Sequence, residues 1–301
     1  MTLVSPSRPI FLFHIWKTGG TSIVSTFRRA LGAQSLQNIE GTNFAALASR
    51  VNSLTRKKKL QFFYAHVPPL PVQTSQDLVR TVVVRDPIDR MISQFCFSYN
   101  QRHFFSKDFQ FFRRCRSYNE GHFFASDVEK MITEKECDNM QTRFLAWHWG
   151  SPVTEETLET AKRALDSCDL VGVTERLGHY LAVLSVMAGL KLDVSVRTNR
   201  TSKHILRGAE ADLREALVPY HTFDIALHKY AQAKFEEVVA KYPDAIKSPL
   251  LAPPVDLAKL TIGDRIIIWK QASFPELWVK TRYRFRQGFN RLRDRSHGPD
   301  L

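Results

Sequence analysis

The chain has 301 residues, 44% hydrophobic and 24% charged, an ordinary globular composition with ample material for the core of one or two domains. Its formal net charge of +13 favours acidic partners (nucleotides, sulfated or carboxylated glycans, nucleic acid, anionic lipid) without choosing among them. Four cysteines without a CxxC pair or zinc-type histidine spacing argue against a metal site, and no apolar run reaches the ~18 residues of a membrane span.

The opening "MTLVSPSRPIFLFHI" carries one cation before an apolar run too short for a signal-peptide core, so a cytoplasmic protein with structural thiols at Cys96, Cys115, Cys137 and Cys168 is expected. Residues 10–15, "IFLFHI", read as a strand buried on both faces of a parallel sheet. After two glycines, Ile23, Val24, Phe27 and Leu31 recur at helical spacing, with Gly32 as the stop. Residues 60–66, "LQFFYAH", read as a second strand ended by "VPPLP", and residues 80–84, "RTVVV", as a third halted by Pro87. Ile88, Met91, Ile92, Phe95 and Tyr99 then mark one face of a helix. A fourth strand is expected over residues 169–173, "DLVGV", followed by a helix through "LGHYLAVLSVMAG" and later a long amphipathic helix in "FDIALHKYAQAKFEEVVAKY".

Alternating strands and helices predict an α/β fold, a doubly wound parallel sheet flanked by helices with its ligand at the carboxyl ends of the strands. The expected organisation is a domain over residues 9–242, a Pro/Ser/Ala-rich linker over 243–262 and a basic extension over 263–301, taken as helical. Within that extension residues 278–295 hold seven Lys/Arg against one Asp, a face for the domain, for a second copy of the chain or for an anionic membrane.

Two segments carry the chemistry. In "WKTGGTS" a glycine pair between strand and helix lets backbone N–H groups converge on one anion, Thr18, Thr21 and Ser22 add hydroxyls, and Lys17 adds a full charge. The lysine precedes the glycines, unlike the GxxxxGK[ST] loop of nucleotide-dependent phosphotransferases. In "VVVRDPIDRMISQF" Arg85 ends a strand and Ser93 follows on the helix, so a guanidinium fork and a hydroxyl can meet one phosphate. Asp86, Asp89 and Arg90 are expected as an ion-pair set orienting that loop. Two anion sites at neighbouring strand ends imply one ligand with anions at both ends.

The pair "FHIWKTGGTS" and "VRDPIDRMISQF" resembles the phosphosulfate and 3′-phosphate motifs of sulfotransferases that use 3′-phosphoadenosine 5′-phosphosulfate (PAPS), especially the carbohydrate group containing the heparan sulfate 2-O- and 6-O-sulfotransferases and bacterial relatives. "NMQTRFLAW" and "LVGVTERLGHYL" resemble later segments of that group, and the likeness covers residues 9–242. Trp16 stands where relatives commonly have proline, and Ala65 where glycine often precedes the histidine. The resemblance implies a P-loop-like fold, PAPS as sulfuryl donor without a metal, and a glycan or glycolipid acceptor. It assigns Lys17, Thr18, Gly19, Gly20, Thr21 and Ser22 to the 5′-phosphosulfate, and Arg85 and Ser93 to the 3′-phosphate. Arg200, Ser202 and Lys203 fall in a late loop that closes on the nucleotide.

By the same resemblance His66 is the base for the acceptor hydroxyl and Lys17 stabilises the leaving nucleotide. His14, read as structural inside the first strand, and Glu40 are the competitors for the base. Residues 103–124, mixing phenylalanine with Arg113, Arg114 and Arg116, are expected either to cover the acceptor or to pack under a long loop, and Gln141 and Arg143 are expected near the site. Two other classes compete: a kinase-like phosphotransferase, disfavoured by the misplaced lysine, and a nucleic-acid-binding protein, disfavoured because the defined cations sit in strand-end loops.

Overall fold

The computed structural model describes residues 8–39, 43–56, 61–74, 78–100, 109–120, 124–135, 137–190, 192, 206 and 210–246. Contacts group the chain into residues 1–253 and 254–301, and every described residue lies in the first unit. The stretch of residues 278–295, with its expected membrane or dimer face, is outside the described residues.

In chain order the elements are β1 (Ile10–Phe13), α1 (Gly20–Leu31), β2 (Leu36–Asn38), α2 (Phe44–Arg56), β3 (Phe62–Ala65), β4 (Val79–Val84) and α3 (Pro87–Asn100). Then follow α4 (Phe109–Phe112), α5 (Arg116–Glu120), α6 (Ala125–Lys135), α7 (Met140–Ala146), α8 (Glu155–Asp166) and β5 (Leu170–Val173). The last are α9 (Leu177–Ala188), α10 (Glu210–Leu217), α11 (Thr222–Lys241) and α12 (Pro243–Ile246). The five strands form one parallel sheet in the order β2-β3-β1-β4-β5. This is the expected α/β sheet, with an edge strand, β2, and a helix, α2, that the sequence reading did not anticipate.

All four residues of β1 and of β5 are buried, which is why these strands read as unbroken apolar runs: helices cover both faces of the sheet. Phe27 of α1 stacks on Phe62 of β3 with ring centroids 4.2 Å apart, seating the first helix against the sheet. A second apolar cluster joins α3 to α6 and α10 through Met91, Phe95, Phe112, Met131 and Leu213. Phe111 and Phe112 are buried there, so in the described part of residues 103–124 packing explains those phenylalanines.

Burial pushes the Cys115 and Cys168 thiols up to about 12, so neither is a reactive thiolate. No described helix is long and apolar enough to cross a membrane. The first residues of the expected linker form α12, whose Ile246 packs against the main core.

From central β1 the chain moves outward to β2, returns through β3, and then crosses to β4 on the other side. The order therefore reverses at β1, and a crevice opens between the loops that follow β1 and β4. Those loops are the two anion motifs. The sheet beneath them is tightly packed: a Cβ added at Gly172 of β5 would lie 2.3 Å from Tyr180 Cδ2. That ring is held by its hydroxyl, 2.9 Å from Thr81 Oγ1. Gly172→Ala is expected to destabilise the fold by about 1–3 kcal/mol through overpacking, read as a lower urea midpoint. An unchanged midpoint would mean that Tyr180 can move aside.

Candidate active site

The loop after β1 is shaped by its backbone. Lys17 has φ 68° and Gly19 φ 91°, so a lysine occupies the left-handed region that non-glycine residues enter at a cost of roughly 1–3 kcal/mol. Thr18 turns its hydroxyl inward and donates to the Ile15 carbonyl at 2.9 Å, so its side chain builds the turn. Gly20 admits no side chain, because a Cβ there would sit 1.9 Å from His14 Nε2. Thr21 is exposed and Ser22 buried at the start of α1. That helix opens with no side-chain cap and no acidic residue in its first turn, leaving its dipole and terminal N–H groups available to an anion.

The second motif meets the first. Arg85 follows β4, and its Nη1 donates to the Lys17 carbonyl at 3.2 Å. Its backbone is gripped by the buried Gln141 amide, which accepts from Arg85 N at 2.9 Å and donates to Arg85 O at 2.8 Å. Thr174, just after β5, reaches both loops: its hydroxyl lies 2.8 Å from Thr18 O and 3.0 Å from Val84 O. Asp86 caps α3 by accepting from Asp89 N, and Glu175 accepts from Asp86 N, both at 2.8 Å. Ser93 lies buried on α3 beyond this cap.

Lys17 Nζ sits 4.0 Å from the centroid of the Phe97 ring. Burial, and then the neighbouring Arg85 charge, push its pKa down to about 8. Among the described residues neither Lys17 nor Arg85 has a carboxylate partner.

Beside them three rings form a stack. His66 follows β3, with His14 on one side at 4.5 Å and Trp16 on the other at 4.7 Å between centroids. His66 Nδ1 is 2.6 Å from the His14 carbonyl. A carbonyl can only accept, so Nδ1 carries the proton and Nε2 holds the lone pair, the form required of a base. His14 lies just past the end of β1 and is half-buried, a correction to the longer first strand read from the sequence. Burial, with His66 and Lys17 adding to it, lowers its pKa to about 3, so its imidazole is neutral and serves as a packing surface.

Under the cleft the expected Asp86–Asp89–Arg90 set is rearranged. Arg214 of α10 pairs with Asp86 and Asp89 at the surface, while Arg90 points into the interior, 1% exposed. Asp224, fully buried, is the carboxylate that favours the Arg90 charge there. It also accepts from Gln141 N, Thr142 N and the Thr142 hydroxyl at 3.0, 2.7 and 2.8 Å, capping α7 and fixing Gln141. Gln141, expected near the site, is thus a clamp on Arg85. Arg143 is committed elsewhere, to Asp138 at 2.8 Å and the Ser151 carbonyl at 2.7 Å. Arg200, Ser202, Lys203 and Glu40 fall outside the described residues.

A family model described as the Sulfotransferase family matches residues 1–231. The chain belongs to the Sulfotransferase family. No curated protein matches it. Membership makes the protein an enzyme of sulfuryl transfer, and the matched span contains both anion loops, His66, Gln141 and Thr174 of this sulfotransferase.

The sulfotransferase's fold has an acid limit set by its histidines. His14, and His221 at about 4 because of burial, stay neutral in the folded state but titrate near 6.5 when unfolded. The unfolded chain then binds more protons between 6.5 and 4, so stability falls as pH drops through that window. Carboxylates with lowered pKa values, Glu175 and Asp166, act only below it. The urea midpoint is expected to fall from pH 7 to pH 4.5, and His14→Gln to flatten that slope.

Proposed function

We propose that this sulfotransferase transfers a sulfuryl group from PAPS to a hydroxyl of a carbohydrate or glycoconjugate by in-line displacement, without a metal. The observation that carries the donor assignment is the hydrogen bond from Arg85 Nη1 to the Lys17 carbonyl, which joins the two anion loops in one cleft. A bisphosphorylated nucleotide suits that cleft, since the loops present cations and helix N–H groups and, among the described residues, no carboxylate is paired with Lys17 or Arg85.

The nucleotide supplies an activated sulfuryl group on its 5′-phosphate. Lys17 and the backbone from Thr18 to Ser22 hold that end, with Gly19 and Gly20 allowing close approach. Arg85 and Ser93 hold the 3′-phosphate, with Arg200, Ser202 and Lys203 closing over it. Lys17 keeps its proton beside the charge that develops as the sulfuryl group departs. His66 Nε2 takes the proton of the acceptor hydroxyl, its ring orientation set by the His14 carbonyl and the Trp16 face. Thiols held up to about 12 at Cys115 and Cys168 accord with a structural role in a reducing, cytoplasmic setting. The basic segment beyond residue 262 is available for contact with an anionic membrane or a second copy.

His66→Ala is expected to abolish sulfuryl transfer while adenosine 3′,5′-bisphosphate binding stays within about twofold of wild type. Unchanged turnover would remove His66 as the base. Because free Lys17 is half-protonated near pH 8, affinity for adenosine 3′,5′-bisphosphate is expected to be full below that pH and to decline above it. Lys17→Arg should move the decline out of the measurable range, and a flat wild-type profile to pH 10 would detach Lys17 from the nucleotide.

A further inference from the structure

The lysine of the first anion loop rests on a ring that the chemistry above does not use. Lys17 Nζ lies 4.0 Å from the centroid of Phe97 on α3, within the range of a cation over an aromatic face. Of the 14 residues of α3, all of them described, Phe97 alone is exposed, at 41%. Its apolar neighbours in sequence, Ile92, Phe95, Cys96 and Tyr99, are buried in the cluster that joins α3 to α6 and α10. A single exposed ring carries no meaning by itself. The ammonium brought over this one gives it a purpose.

Position ties the ring to the site. Phe97 follows Ser93 by four residues, so the two share a face of α3, one turn apart. The loop opposite is fixed as well. Lys17 has φ 68°, its carbonyl accepts from Arg85 Nη1 at 3.2 Å, and the next residue, Thr18, is tied to the Ile15 carbonyl at 2.9 Å. The backbone of the lysine is therefore held, while its flexible four-carbon stem is left to turn. The Phe97 face is what the charged end of that stem meets.

Charge explains why the partner is a ring. The groups that act on Lys17 come from each element around it: Arg85 after β4, Arg90 and Cys96 on α3, and the neutral His14 after β1. Burial first, and then the two arginines, disfavour the ammonium, against a smaller effect of Cys96 in its favour. A carboxylate could hold it, but would cancel the charge and repel an incoming anion. An aromatic face attracts a cation through its quadrupole and has no net charge, so the ammonium is steadied and stays available.

We propose that Phe97 is a positioning residue for Lys17: its ring holds the ammonium, as a cation, at the loop that grips the 5′ end of the donor. This rests on the sulfuryl-transfer reading and adds the group that keeps its lysine in place and in the working form. A lysine ordered beforehand also loses less side-chain freedom when the nucleotide binds.

The test uses the full chain with Phe97→Leu, which keeps an apolar side chain but removes the π face, and Phe97→Tyr, which restores it. Two quantities are read: the pKa of Lys17 in the unliganded protein, from the pH dependence of its acetylation by mass spectrometry, and the affinity for adenosine 3′,5′-bisphosphate from pH 6 to pH 9. Phe97→Leu is expected to lower the Lys17 pKa by about half to one pH unit, the worth of one such contact. Affinity should then stay within about twofold at pH 6, where the lysine is charged in either protein, and fall about three- to tenfold at pH 9. Phe97→Tyr should return both quantities to wild type. An unmoved Lys17 pKa in Phe97→Leu, an affinity loss of equal size at every pH, or a tyrosine variant that behaves as the leucine one would each overturn the proposal. The expected change at Lys17 in a chain that binds no nucleotide would instead uphold the Phe97 contact and strike the donor reading beneath it.

Discussion

Two cations face one cleft in this protein, and the backbone forces them together. Because β4 lies beside β1 in the sheet, the residues following the two strands arrive at the same crevice, and Arg85 donates to the carbonyl of Lys17 itself. The proximity disfavours the charged form of Lys17, whose pKa falls well below that of a free lysine. An anion bound between them relieves that repulsion. Two neighbouring cations therefore favour an anion between them more than either loop would alone.

Such an arrangement needs a stiff support. Asp224 provides it from α11, accepting three hydrogen bonds at the start of α7 while facing the buried Arg90. Through α7 it fixes Gln141, and through Gln141 both backbone groups of Arg85. Thr174 fastens the other side by holding the Thr18 and Val84 carbonyls. Burying a charge such as Arg90 is unfavourable unless it is compensated, and the negative charge of Asp224 is the largest influence in its favour. The polar interior beneath the cleft thus trades stability for position.

Much of this was legible in the chain because strand burial and loop chemistry are local properties. "IFLF" and "TVVV" announce covered strands, and "KTGGTS" announces a turn that only glycine and a strained lysine can make. β2 was invisible because its three residues, Leu36 to Asn38, lie at a half-covered edge where no apolar run is needed. The inward course of Arg90 was equally hidden. Its partner Asp224 lies 134 positions further on, and charge spacing within one loop pointed to Asp86 and Asp89, which Arg214 takes instead. Gln141 was singled out, yet its grip on Arg85 depends on where α7 starts, a tertiary fact.

The departure at Trp16 gains a physical meaning from the ring stack. A proline there would fix the backbone before Lys17 but offer little flat surface to an imidazole. The indole covers one face of His66 while the His14 ring covers the other, so the imidazole is confined in plane. The His14 carbonyl simultaneously fixes the tautomer. The His14 ring itself is neutral, because burial in the space that Gly20 leaves open lowers its pKa. The glycine that opens α1 therefore also leaves the space in which the His14 ring sits.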